Sequence, residues 1–367
     1  MAQKIVHWLL ITLVISLGFG QLLRFEYLGL PIYLHDILLV CILLLQGQAL
    51  KVDSFYLQGL ALLGGGLTLG WIFALLHYPI AQLLIPSLYT LRLLAYLSLY
   101  FAIKRSKVTI PRSTFMLSGL VTLIIGLTQY FLMPDMRIFQ YLGWDDHLSR
   151  LTLPHFDPTF TAVMLSLSVL SFTPTRSYVL YPLFLLPILL TYSRSVWLSL
   201  LLTGVFSMKN KKIILVSSIL LLASIFALPR KFGEGTNLFR TYSITSRFQS
   251  DITYIQKYGW ELLIGHGMNT LILDSPSSDL PNHASGPNNS YLYLLTTTGL
   301  LGLIGWGIFM YSIYKKSPHK PMLAFFFIAS LFNNVMFYPF TLLWILLIES
   351  TTYDPQSTVK LMVPTSV

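Results

Sequence analysis

The chain has 367 residues, a mean hydropathy of +0.68, 54% hydrophobic and 10% charged residues, and a formal net charge of +10. Soluble domains carry about 25% charged residues. The composition therefore excludes an ordinary soluble domain and predicts an all-α, polytopic transmembrane helix bundle. One cysteine, Cys41, excludes an internal disulfide, and its apolar surroundings predict a buried small hydrophobe.

A spanning helix needs about 20 mostly apolar residues. Candidate runs lie near 5–23, 32–46, 55–76, 82–103, 114–133, 160–174, 177–192, 195–208, 213–228, 290–313, 322–336 and 338–348. The first lacks a small-residue cleavage site after it and reads as a retained helix. The runs 177–192 and 195–208, parted at Ser193-Arg194, are either one re-entrant hairpin or two short helices. The last two are parted at "NNVMFYP". The expected total is ten to twelve spans.

Three short loops are basic: Lys104, Arg105, Lys107 and Arg112; Lys209, Lys211 and Lys212; Lys315, Lys316 and Lys320. They share one side, which the positive-inside rule makes cytoplasmic, with both termini. The net charge is then a topology signal, and no nucleic-acid partner is expected. The other side receives most of the acids and two long loops, near 134–159 and 229–289. Long connections rich in Trp, Arg, Asp, His and Gly suggest function. The expected organisation is transmembrane helices over 1–228, a large external loop region over 229–289, C-terminal helices over 290–349 and a cytoplasmic tail over 350–367.

Within the spans, "LGGGLTLGW" (Leu63 to Trp71) reads as close helix packing. Arg92 is costly inside a span. It either pairs with an acid, Asp36 being the obvious partner, or faces an internal cavity. Arg194 stands at an outer border, where Arg commonly snorkels. The large loop adds Arg230, Lys231, Arg240, Arg247 and Lys257. Such cations either pair with Glu234, Asp251 and Glu261 or hold a polyanionic head group, a diphosphate being suited to forked Arg donors. The eight His are scattered without metal-ligand spacing, and no nucleotide fingerprint is present, so neither metal nor cofactor is expected. In "LIGHGMNT" (Leu263 to Thr270), Gly265 and Gly267 permit a sharp turn or close approach to a ligand around His266. The stretch "PNHASGPNNSYLYLLTTTGLLGLIGW" (Pro281 to Trp306) passes from a dense polar set into an apolar run.

Four segments in order resemble the O-antigen ligase and O-antigen polymerase superfamily of bacterial envelope proteins. They are "IGLTQYFLMPDMRIFQYLGWDDHLSRLTLPHFDPTFTAVML", "LLTYSRSVWLSLLLTG", "SRFQSDITYIQKYGWELLIGHGMNT" and "NNSYLYLLTTTGLLG", within residues 85 to 340. The resemblance implies a metal-independent GT-C-like glycosyltransferase of the bacterial cytoplasmic membrane. It would move a glycan from an undecaprenyl-diphosphate carrier to an acceptor hydroxyl on the outer side, most simply polymerising repeat units. Partners would be the carrier-linked glycan, an acceptor glycan or lipid, membrane lipids and other polysaccharide assembly proteins. Arg194 and Arg247 match the family's functional arginines. Arg150, Arg240, Gly265, His266, Gly267 and Tyr291 complete the implied substrate-binding set. The family's H-[NSQ]-x9-G-x-x-G pattern places Asn288 at the His and Asn289 beside it. An amide orients a hydroxyl but accepts no proton at neutral pH. The base is then His283, His266 or an external carboxylate, unless the transition state needs little base help. Alternatives are a ligase to lipid A-core, a lipid-linked glycan flippase without chemistry, and a non-catalytic scaffold.

Overall fold

The computed structural model describes residues 2–27, 30–46, 52–106, 108–171, 180–207, 234–239, 241–274 and 286–351, with isolated positions 219, 223 and 228. The chain is an all-α membrane-type bundle. Its helices are α1 (Ala2–Leu17), α2 (Leu34–Gln46), α3 (Ser54–His77), α4 (Ile80–Ser106), α5 (Arg112–Leu132), α6 (Pro158–Leu170), α7 (Leu180–Leu190), α8 (Arg194–Ser207), α9 (Tyr242–Tyr258), α10 (Ser290–Lys316), α11 (Lys320–Ala329) and α12 (Pro339–Ser350). An antiparallel hairpin, β1 (Arg24–Tyr27) and β2 (Leu30–Tyr33), joins α1 to α2. Every expected run except 213–228, which lies mostly outside the described residues, contains one of these helices. α7 and α8 are separate helices joined by a turn in which Tyr192 takes a φ of +56°.

Among the described residues four helices, α3, α4, α5 and α10, are long and apolar enough to cross a membrane. Two of the shorter ones, α6 and α12, are buried nearly throughout. Eleven of the 13 residues of α6 are buried, as is nearly all of α12 from Phe340 to Ile348. A helix apolar on every side belongs inside a bundle. At about 1.5 Å per residue, α6 spans roughly 20 Å against a hydrocarbon core of about 30 Å. The long helices turn apolar faces outward. Cys41 is a correction to the sequence reading: it is exposed, beside exposed Val40 and Leu44 on the outward face of α2. A run that is apolar throughout carries no periodicity to mark its inner face.

The ends of the bundle differ. At one end Lys104, Lys316 and Glu349 meet the loops. Lys316 pairs with Asp53 at 3.4 Å, and Ser317 Oγ donates to Glu349 Oε1 at 2.7 Å. The other end carries the hairpin and both long loops. Near it, Arg92 pairs with Asp36 at 2.7 Å and donates to the Pro31 carbonyl at 3.2 Å, its guanidinium lying over the rings of Tyr33 and Tyr89.

The tightest packing joins α3 to α10. A methyl group at Gly59 would lie 2.6 Å from the Phe309 backbone nitrogen, and one at Gly70 would lie 2.6 Å from the Thr297 carbonyl oxygen. α10 itself is broken at Gly299, which adopts φ 69° and ψ −177°. The break frees the carbonyls of Thr296 and Thr297. His266 N–H and Gly267 N–H reach in to them at 2.8 and 3.0 Å. Gly265 and Gly267 have φ of +92° and +99°, conformations in which a side chain is strained.

The seam supplies a controlled comparison. Gly59→Ala pushes a methyl group into backbone and destabilises the protein by roughly 1–3 kcal/mol, the usual cost of overpacking. Gly64→Ala, where nothing lies within 4 Å, is neutral. Thermal unfolding of both variants in the same detergent measures the difference.

Candidate functional site

Two polar centres lie at the loop end, connected by α9. The first gathers Arg194, Arg247, Asp251 and Asn289. Arg194 is the first residue of α8, and its guanidinium donates to the Leu238 carbonyl at 2.9 Å. The turn before it is braced from two sides. Ser193 Oγ donates to Thr159 Oγ1 at 3.3 Å, and buried Arg150 donates through Nε to the Thr191 carbonyl at 3.0 Å. Arg150 therefore holds the turn that presents Arg194. Arg247, on the inner face of α9, donates to the Phe332 carbonyl at 3.0 Å and lies within electrostatic reach of Arg194, Asp157, Asp251 and Asp145.

Asp251 follows Arg247 by one helical turn. The backbone N–H of Asn289 lies close enough to favour the charged form of Asp251, and Asp251 Oδ1 is buried without a partner. Burial raises the Asp251 carboxyl above the ordinary value of 3.8, while Arg247 and the Asn289 N–H offset part of that rise. The result is a carboxylate with a free acceptor beside Asn288 and Asn289. Sequence reading places Asp251 only among the possible loop counter-ions. The signal was the i, i+4 spacing from Arg247, which alone marks nothing beyond an ion pair.

Asn289 caps α10: its Oδ1 accepts from the Tyr291 and Leu292 N–H groups at 2.9 and 3.3 Å. Half-buried Asn288 precedes it. Ser290 bonds to the Ser330 and Asn333 carbonyls, each at 2.9 Å, and Tyr291 OH donates to the Phe327 carbonyl at 3.0 Å. Tyr291 thus ties α10 to α11. These contacts bring the N-termini of α6, α8 and α10 to one end of the bundle, and helix N-termini favour anions. His283 and Arg240 lie outside the described residues.

Asp145, His147 and Asp157 place potential ligand atoms within 4.8 Å of one another and could hold a metal ion, a grouping that the sequence spacing did not suggest. Asp157 has a competing task. Its Oδ1 caps α6, accepting from the Thr159 and Phe160 N–H groups at 2.6 and 2.9 Å. Positive charge already reaches the group from Arg150 and Arg247.

The second centre surrounds His266. Its Nε2 lies 2.5 Å from Tyr78 OH and 3.1 Å from Asp274 Oδ2, and its Nδ1 lies 3.0 Å from Glu261 Oε2. Asp274 also accepts from Tyr78 and from Tyr258, the latter at 2.8 Å. Burial works to raise the Asp274 carboxyl. Hydrogen bonds from His266, Tyr78 and Tyr258 outweigh it and hold the group well below the carboxylate range. Tyr258 also contacts the His266 ring, with centroids 4.9 Å apart. Arg247 and Tyr258 are eleven residues apart on α9, about 16 Å along the axis. His266 is therefore held in a second cluster, with Tyr78, Glu261 and Asp274. Gly265 and Gly267 flank it: Gly267 N–H donates into the break in α10, and Gly265 N–H donates to the Glu261 carbonyl at 2.7 Å.

The depressed Asp274 carboxyl stabilises the fold above the ordinary value of 3.8, and that contribution is lost as pH falls through its lower folded-state value. Asp274→Asn consequently lowers the melting temperature at neutral pH, and the gap from the parent narrows as the solution is acidified below 3.8. A pH-independent gap would mean that Asp274 stabilises through packing alone. No family model matches the chain, and no curated protein sequence matches it.

Proposed function

We propose that the protein transfers a glycan from an undecaprenyl-diphosphate carrier to an acceptor hydroxyl at the loop end, joining repeat units of a surface polysaccharide. The observation that carries this reading is the approach of two guanidiniums from different elements, Arg194 and Arg247, beside a carboxylate with an unpartnered oxygen, Asp251. Like charges brought together at a protein surface suit an anion. The resemblance of the surrounding segments supplies the identity of that anion. In this reading the loop end faces away from the cytoplasm of a bacterial cell and the basic end faces inward.

The reaction breaks the bond between the anomeric carbon and the diphosphate oxygen and forms one from that carbon to the acceptor oxygen. Arg194 and Arg247 stabilise the charge that builds on the departing diphosphate. Asp251 takes the proton of the acceptor hydroxyl. Asn288 orients that hydroxyl, and Asn289 holds the helix start in place. A ligase would use the same groups with a different acceptor. The transport alternative draws less support, because Arg92, the cation that stood out within a span, is already paired with Asp36.

Purified protein supplied with undecaprenyl-diphosphate repeat unit separates these readings: a product ladder marks a polymerase, a single addition a ligase. Arg194→Ala and Arg247→Ala each reduce the rate by about 10²–10³, the usual loss for one transition-state charge donor. Full activity in both variants would rule out the site. The rate rises with pH as Asp251 ionises, with a midpoint above 3.8. Asp251→Asn abolishes that limb, whereas His283→Ala leaves it. The opposite pattern would transfer the base to position 283.

A further inference from the structure

The outer helix α9 divides into three faces. At about 100° per residue, Arg247, Ser250, Asp251, Tyr254 and Tyr258 form one sector, and these residues are the buried or half-buried ones. Ile244, Phe248, Ile252 and Ile255 form a second sector, apolar and exposed, with Phe248 69% exposed. Thr245, Gln249, Thr253 and Gln256 form a third, polar and exposed. A helix resting on protein in plain water has no use for the second sector, since contiguous exposed apolar side chains mark an interaction surface.

The apolar sector does not end with the helix. It is followed in the chain by Trp260 and Leu263, both exposed. Trp260 packs edge-on against Phe73 of α3, whose neighbours Ile72, Leu75 and Leu76 face outward. Leu263 leads into the Gly299 break, next to outward-facing Leu300. The stripe is thus continuous with the outward apolar faces of two helices long enough to cross a membrane. α9 carries three charges, Arg247 and Asp251 turned inward and Lys257 paired with Asp274 at 3.5 Å, so apolar contact rather than attraction to anionic lipid must hold it.

We propose that α9 is an interfacial helix whose Ile244, Phe248, Ile252 and Ile255 side chains lie in the head-group and acyl boundary of the bilayer, extended by Trp260. Amphipathic helices bury such a face about 5–10 Å into this boundary, and Trp prefers the same depth. The lipid surface then presses the inner face of α9, with Arg247 and Asp251, against the bundle. This inference requires only that the bundle spans a bilayer and is independent of the transfer reaction.

The test uses the full chain with its one cysteine removed, Cys41→Ser, and single cysteines introduced by Phe248→Cys, Ile255→Cys, Gln249→Cys or Gln256→Cys. Each carries a nitroxide label and is reconstituted in phosphatidylcholine vesicles. Labels at 248 and 255 should relax more readily with oxygen than with a water-soluble nickel chelate, and labels at 249 and 256 the reverse. Added anionic lipid should leave the pattern unchanged. Four labels equally open to nickel would place the stripe in water and overturn the proposal. Labels at 248 and 255 shielded from both reagents would also overturn it, by showing a protein partner or a second copy on the stripe.

Discussion

The main-chain bonds from the Gly265–Gly267 turn to the broken middle of α10 tie the outer region to the bundle. A helix interrupted inside a bundle leaves carbonyls without donors, and a buried carbonyl left unpaired costs about 1–3 kcal/mol. Here the donors come from His266 and Gly267. The same approach sets the position of Trp260 against α3 and brings Tyr258 onto the His266 ring. The dense seam between α3 and α10 provides the rigid backing, because glycines on both helices let their backbones touch.

From that junction α9 acts as a strut. Its C-terminal half is held by the His266 centre, where Tyr78 and Tyr258 hydrogen-bond Asp274 and Glu261 lies 3.0 Å from the imidazole. Its N-terminal half delivers Arg247 and Asp251 to the starts of α8 and α10. One polar centre thus fixes the strut, and the other gathers a carboxylate and two guanidiniums near the starts of α8 and α10. Arg150 donates to the Thr191 carbonyl in the turn before Arg194, and Tyr291 donates to the Phe327 carbonyl of α11.

The helix positions were legible because apolar runs of the right length are a composition-level signal. The close packing around Gly66 and the pairing of Arg92 were legible for a related reason: small residues and charges are conspicuous among aliphatic ones. The break at Gly299 was not, since the sequence shows a glycine and not the sign of its φ. The inward position of α6 and α12 was hidden because uniformly apolar helices look alike whether lipid or protein surrounds them; Cys41 was misplaced by that ambiguity. Asp251 stood in the sequence only as one of several loop acids, because Asn289 lies far along the chain and only folding brings the two together. His266 drew attention for its glycines, yet its carboxylate neighbours come from both sides of the turn.

The junction at Gly299 uses backbone atoms from both partners, so selection there acts on which positions lack a side chain. A distant homologue can replace every hydrogen-bonding side chain in the outer region and keep the junction, provided its glycines remain at the turn and at the break. Scoring by residue identity registers such a constraint weakly, because a few glycines in a hydrophobic chain carry little information one at a time. Their spacing, read as one geometric pattern across the outer loop and the returning helix, is the more durable mark of common descent for a protein built this way.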